Sequence, residues 1–96
     1  MFSWDAQKAL RNYQKHGVTF EEAATVFSDA NALDLEDEEH DGRERRCKRL
    51  GFSIRARILL VIYALRRLKN NVETIRIISA RQATRKERKI YAGLPT

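Results

Sequence analysis

Eight consecutive apolar residues, Ile58 to Leu65, are closed off by Arg57 on one side and by Arg66 and Arg67 on the other. The run is far short of the ~20 residues that a membrane-spanning helix requires. Rich in Ile, Leu and Val and without regular polar positions, it reads as the central strand of a sheet, from Arg57 to Arg66. Ninety-six residues bury only roughly 60–65% of their unfolded surface, so the chain is expected to form one domain, residues 1–96, around one core.

The flanking segments supply the cover. Asp5 is a good N-cap for a helix from Ala6 to Lys15, with Ala9, Leu10 and Tyr13 on one side and Gly17 as its stop. Thr19 and Glu22 have the spacing of a capping box for a second helix through Phe27, which buries Phe20, Ala23, Ala24 and Phe27. The pattern then changes to period two. Leu33 and Leu35 alternate with Asp34 and Glu36 as a half-exposed strand, and Glu36 to Glu44 forms a charged loop. A strand from Arg46 to Phe52 follows, bulged at Gly51. After the central strand, Lys69 to Asn71 make a turn, and Val72 to Ser79 return as its hairpin partner. A second capping box, Thr84 with Glu87, starts a last helix that Gly93 and Pro95 end. The expected fold is α+β, with two N-terminal helices, an antiparallel four-stranded sheet and a C-terminal helix, the helices covering one sheet face.

Charge is distributed unevenly along this order. Residues 1–42 carry three Lys/Arg against ten Asp/Glu, whereas residues 43–96 carry sixteen against three. Excess charge also serves solubility alone, but the basic half holds twelve arginines and four lysines. Arginine is the residue suited to bidentate phosphate contacts, which favours a polyanionic partner. The lone Cys47 excludes an internal disulfide and fits a reducing compartment. No export signal is recognised, so a cytoplasmic location is expected, with no membrane association. His40 sits among acids but lacks partners at ligand spacing, and neither a metal nor any other cofactor is expected. No phosphate-cradling glycine loop or nucleophile elbow occurs.

Candidate residues follow from strand parity. Ile75 and Ile77 share one face of their strand, while Thr74, Arg76 and Ile78 share the other, so Arg76 projects from the uncovered face if the helices lie on the isoleucines. Such an arginine is either paired with an acid from the N-terminal half or meets a phosphate. Arg57 and Arg66 fall on opposite faces, so at most one of them joins Arg76. Tyr63 suits the core better than base stacking. Arg46, Arg81, Arg85 and Arg88 are the remaining cationic candidates, with Tyr91 one turn after Arg88. Lys15 and His16 end the first helix, where the macrodipole alone stabilises cations. Glu87 is a capping residue before it is a base.

Several stretches together resemble the BrnT family: Lys15 to Ala24 (KHGVTFEEAA), Ile75 to Arg81 (IRIISAR), and Ala83 to Arg88 (ATRKER) followed by Tyr91. Trp4-Asp5, Leu50-Gly51 and Arg57 to Leu60 match its pattern as well. The resemblance implies a RelE-like fold and a ribonuclease toxin of a type II toxin–antitoxin pair, which shuts down translation. It also implies a BrnA-type antitoxin whose ribbon-helix-helix domain binds the operon's promoter, so that operator DNA is reached only through the antitoxin. The family's basic motif residues fall on Lys15, His16, Arg46, Arg76, Arg81 and Arg88. Three departures stand out: Ala56 where the family often has glycine, Ala64-Leu65 in place of a more polar pair, and a longer hairpin from Arg67 to Thr74.

RNA carries its own nucleophile, the 2′-OH, so a metal-independent endoribonuclease needs charge stabilisation and proton transfer. On this reading Arg76 and Arg81 clamp the scissile phosphate, and Arg46, Arg57, Arg66, Arg85 and Arg88 bind flanking RNA. Lys15, His16, Glu87 and Tyr91 are the choices for acid and base, with neighbouring arginines expected to lower the pKa of Lys15 and Tyr91. The rival readings are a non-catalytic nucleic-acid-binding module, an antitoxin-bound co-repressor and a purely structural partner.

Overall fold

The apolar run does form the middle of the sheet. In the computed structural model, which describes residues 1–35 and 45–95, strand β4 (Ile58–Arg67) pairs antiparallel with β3 (Arg45–Phe52) on one side and β5 (Glu73–Gln82) on the other. A short β2 (Leu33–Leu35) flanks β3, and β1 (Phe2–Ser3) flanks β5, giving the order β1-β5-β4-β3-β2. The sheet therefore has five strands and not four, and it is mixed, because β1 runs parallel to β5. Two residues carry no readable period, so β1 is set by its partner: Phe2 lies opposite Ile75, the Ile75 N–H donates to the Met1 carbonyl at 2.8 Å, and the Phe2 ring meets Phe27 edge-on at 5.1 Å.

Helix α1 (Ala6–His16) begins at Asp5, whose carboxylate accepts the Lys8 N–H at 3.0 Å, and ends at Gly17 with a φ of +69°. Its buried Asn12 replaces a strand partner for β5. The side-chain amide donates to the carbonyls of Ala80 (2.8 Å) and Val18 (2.9 Å), and its Oδ1 accepts the Ala80 N–H at 3.0 Å. Backbone groups at a covered sheet edge need such partners, since each one left unpaired costs about 1–3 kcal/mol.

Helix α2 (Phe20–Thr25) is shorter than expected and tightens into a 3₁₀ turn over Val26–Ser28. Thr25 holds this corner by donating to the Glu22 carbonyl and accepting the Ile54 N–H. Thr19 caps the helix through the Glu22 N–H at 3.1 Å, but the Glu22 carboxylate is used elsewhere, as described below. Val18, Phe20, Ala23 and Val26 bury against Leu59, Val61, Ile77 and Ala80, which is the main core. Gly51 is not a bulge. It pairs regularly with Leu59, and a Cβ there would lie 2.6 Å from Val26 Cγ1, so close approach of the turn requires glycine.

Helix α3 (Arg85–Tyr91) has the complete Thr84–Glu87 capping box. It does not join α1 and α2. Ile90 and Tyr91 pack with Leu50, Leu60 and Ala83, which point from the other side of the sheet. The helices thus cover both faces unequally: α1 and α2 lie over one, and α3 over a single end of the other. No described helix is long and apolar enough to cross a membrane.

Candidate functional site

The register between β4 and β5 decides which arginines stand together. Ile62 pairs with Ser79, but Tyr63 pairs with Ile77, so Ile78 is an extra residue in β5. A bulge of this kind exchanges the faces of everything beyond it. Arg76 lies opposite Ala64 and Arg81 opposite Leu60, and Ala64 and Leu60 share a face. Arg76 and Arg81, of opposite parity in the sequence, therefore project from the same side, away from α1 and α2.

Other cations join them. Arg46 also lies opposite Ala64, so Ser3, Arg76, Ala64 and Arg46 form one row across the sheet. Lys48 occupies the next row, opposite Ile62, and Arg66 the row on the other side, opposite Thr74. Lys48 escaped the sequence reading, although its even spacing from Arg46 and Leu50 placed it on this face. Arg66 is exposed here and is the member of the Arg57/Arg66 pair that shares the face with Arg76.

The pairing of each guanidinium separates supports from free donors. Among the described residues Arg76 makes no hydrogen bond or ion pair. Its charge reaches Asp5, whose carboxyl is held below its usual range chiefly by the Lys8 backbone N–H. Arg81 meets Glu87 fork to fork, Nη1 to Oε1 at 2.7 Å and Nη2 to Oε2 at 3.0 Å. Glu87 Oε1 also accepts the Thr84 N–H at 2.9 Å. These bonds, Arg81 first, lower the Glu87 pKa, so the group is a carboxylate near neutrality and cannot serve as an acid.

Arg57 is spent differently. Its Nε and Nη2 donate to the two Glu22 oxygens at 2.8 and 2.6 Å, and Nη2 also donates to the Gly17 carbonyl at 3.0 Å. Glu22 is 4% exposed and accepts Ser53 Oγ as well, at 2.7 Å. The pair ties α2 to the β3–β4 corner, and Arg57 is withdrawn from the phosphate-binding set. Arg49 is likewise committed, to Asp34 at 2.7 Å and to the face of Phe27 at 4.5 Å. Tyr63 belongs to the core, 4% exposed, with burial pushing its phenol up to about 12.

Of the four proton-transfer candidates only Glu87 is placed against one of these arginines, Arg81. Lys15 and His16 end α1, which packs on the opposite face, against Ala80. The Tyr91 hydroxyl donates to Asp29 Oδ2 at 2.6 Å. That carboxylate raises the tyrosine pKa, opposite to the lowering expected from arginines. Arg85 is exposed at the start of α3, and Arg88 is exposed with Nη1 on the Ala83 carbonyl at 2.9 Å. His40 lies outside the described residues, among which no three His, Cys, Asp or Glu side chains converge as metal ligands.

A family model described as the ribonuclease toxin BrnT of type II toxin–antitoxin systems matches residues 4–87. The chain belongs to the BrnT family. The matched span includes Arg46, Arg76, Arg81 and Glu87, and stops before Arg88 and Tyr91. Membership makes the protein a ribonuclease toxin with an antitoxin partner. No curated protein matches.

Proposed function

We propose that this BrnT protein cuts RNA as a metal-independent endoribonuclease on the open face of its sheet. The observation that carries the reading is the β5 bulge, which brings Arg76 and Arg81 to one side, with Arg46 in the Arg76 row. The 2′-oxygen of a nucleotide attacks the adjacent phosphorus and forms the O2′–P bond. The P–O5′ bond breaks, leaving a 2′,3′-cyclic phosphate and a 5′-hydroxyl. Arg76 and Arg81 hold the non-bridging oxygens and stabilise the charge that builds up on them. The 2′-OH proton leaves to solvent and the 5′-oxygen takes one from solvent, because Lys15 and His16 end a helix packed on the other face, Tyr91 is held by Asp29, and both Glu87 oxygens are taken up by Arg81 and the Thr84 N–H. Arg46, Lys48 and Arg66 track the neighbouring phosphates, an electrostatic grip without base readout.

Cleavage of messenger RNA in the cytoplasm then inhibits translation. A BrnA-type ribbon-helix-helix antitoxin neutralises the toxin and alone carries it to operator DNA. The test is cleavage of a labelled, mixed-sequence single-stranded RNA in excess chelator. Wild type retains activity; Arg76→Ala and Arg81→Ala each lose about 10²–10³-fold, the usual cost of one preorganised donor. Lys15→Ala and His16→Ala stay within about threefold, well below the ~10²–10⁴ of a general acid or base. Cleavage abolished by chelator, or unchanged in both arginine variants, defeats the proposal. Toxicity on expression with intact cellular RNA favours the non-catalytic binder instead.

A further inference from the structure

The Arg81–Glu87 pair uses only part of the guanidinium. Both contacts are made by the terminal nitrogens Nη1 and Nη2, and Nη1 also donates to the Gln82 carbonyl at 3.3 Å. Nε has no partner among the described residues, and Nη2 spends one of its two protons. The remaining Nε–H and Nη2–H lie side by side along the other edge of the plane. That edge is itself a fork that fits two oxygens of one phosphate. The Arg81 side chain is 37% exposed while that of Glu87 is 18% exposed, so of the two partners the arginine is the more accessible to a ligand.

Glu87 is in turn fixed by its own helix, because it is the N3 residue of the α3 capping box and accepts the Thr84 N–H. Helix α3 is anchored independently at its far end by Tyr91 on Asp29. We infer that Glu87 is a positioning residue, which turns Arg81 so that its free edge faces the RNA phosphate. The inference rests on the reading of this face as the cleavage site. It gives α3 a function beyond covering Leu50 and Leu60: the helix orients one of the two arginines and leaves Arg76 to adapt. An unpaired arginine on the same strand would reach the phosphate from many rotamers, and the chemical step loses most when a charge-stabilising group is misplaced.

Glu87→Gln keeps an oxygen for the Thr84 N–H but removes the charge that holds the fork. Single-turnover cleavage of the same labelled RNA is expected to slow about tenfold, with KM and melting temperature nearly unchanged. In an Arg81→Lys background, where there is no fork to orient, the further change is less than twofold. Thr84→Ala, which weakens the helix cap and leaves the carboxylate on Arg81, lowers the melting temperature and spares the rate. Three results overturn the inference: equal slowing by Glu87→Gln in both backgrounds, no slowing in either while Arg81→Lys is impaired, or a rate loss in Thr84→Ala matching that of Glu87→Gln. Full activity of Arg81→Lys and Arg81→Ala overturns the reading of the site itself, which distinguishes that failure from the first three.

Discussion

Two arginine–glutamate pairs, Arg57–Glu22 and Arg81–Glu87, are both bidentate and have similar distances, yet they do different work. Arg57 presents its Nε–Nη2 edge to a carboxylate that is almost fully buried, and its spare Nη2 proton goes to the Gly17 carbonyl. What remains is Nη1 alone, with no second unpaired nitrogen beside it to complete a fork. Arg81 presents its two terminal nitrogens to Glu87 and keeps Nε and one Nη2 proton without a partner among the described residues, on the face away from α1 and α2. An ion pair thus removes an arginine from a binding surface in one place and aims it in the other. The difference lies in which edge is used and in what the carboxylate is buried under.

Exchanging the consequences of the two pairs is the strongest way to break this comparison. Arg57→Ala leaves the Glu22 carboxylate buried beside Ser53 without its counter-ion, a loss of about 3 kcal/mol for a broken buried pair. In a domain of this size, that lowers the melting temperature by roughly 12 °C or more. Cleavage per folded molecule, measured well below the transition, stays near wild type. Arg81→Ala does the reverse, with a shift of only a few degrees and loss of nearly all cleavage. If both variants lose stability and activity in proportion, the two pairs are equivalent and the distinction fails.

Acid titration sharpens the same contrast. Both carboxyls are depressed, Glu22 chiefly by Arg57 and Glu87 chiefly by Arg81. A depressed carboxyl contributes stability that is fully present above its unfolded value of 4.5 and is lost as pH falls through the lower folded value. Stability therefore falls below about pH 4.5, and Glu22→Gln flattens that slope, since the glutamine amide does not titrate. Glu87→Gln removes less of the slope because its pair is the more exposed one and better screened. Urea denaturation at pH 3 and pH 7 measures both; an unchanged slope in Glu22→Gln refutes the assignment.

A smaller effect is expected at the outer end of α3. Tyr91→Phe removes the hydrogen bond to Asp29 and is expected to cost about 1 kcal/mol. The wild-type tyrosine has a raised pKa, so its contribution is present below pH 10 and is lost as pH rises above it. Thermal unfolding of the two proteins therefore converges in alkali. Cleavage at pH 7 stays within a few-fold, and a loss of 10²-fold would return Tyr91 to the catalytic set.

How much of this was legible in the sequence depends on the range of the interaction. The central strand, the caps at Asp5, Thr19 and Thr84, and the glycine stops are local patterns, and they appear as expected. The Arg76 side of β5 was also readable, from the alternation of Ile75, Arg76 and Ile77. The bulge was not, because Ile77 and Ile78 are the same residue and either satisfies the apolar position. Without it, Arg81 falls on the wrong face. Glu22 has the spacing of a capping residue and instead serves Arg57, 35 positions away, a pairing no local pattern contains. Helix α3 packs on the side opposite to expectation because its apolar residues, Ile90 and Tyr91, do not reveal which face of the sheet they meet.

One local departure was legible, and it bears on the Arg57 corner. Ala56 has a φ of +61° in the turn closed by the Ser53 N–H on the Arg57 carbonyl. Glycine is the residue that the resemblance to the family leads us to expect at this position. Asn71 adopts a similar φ of +64° in the β4–β5 turn, but asparagine tolerates that region and alanine does not. A left-handed alanine costs about 1–2 kcal/mol, part of which the greater unfolded-state freedom of glycine would offset. Ala56→Gly should therefore stabilise the protein by about 0.5–1 kcal/mol and raise the melting temperature by about 2–8 °C. The gain belongs wholly to the turn, so it should persist in an Arg57→Ala background and leave cleavage unchanged. If it vanishes there, the Arg57–Glu22 pair is what holds Ala56 in its strained conformation. The corner would then store strain that the open face, where Arg76 has no partner among the described residues, does not.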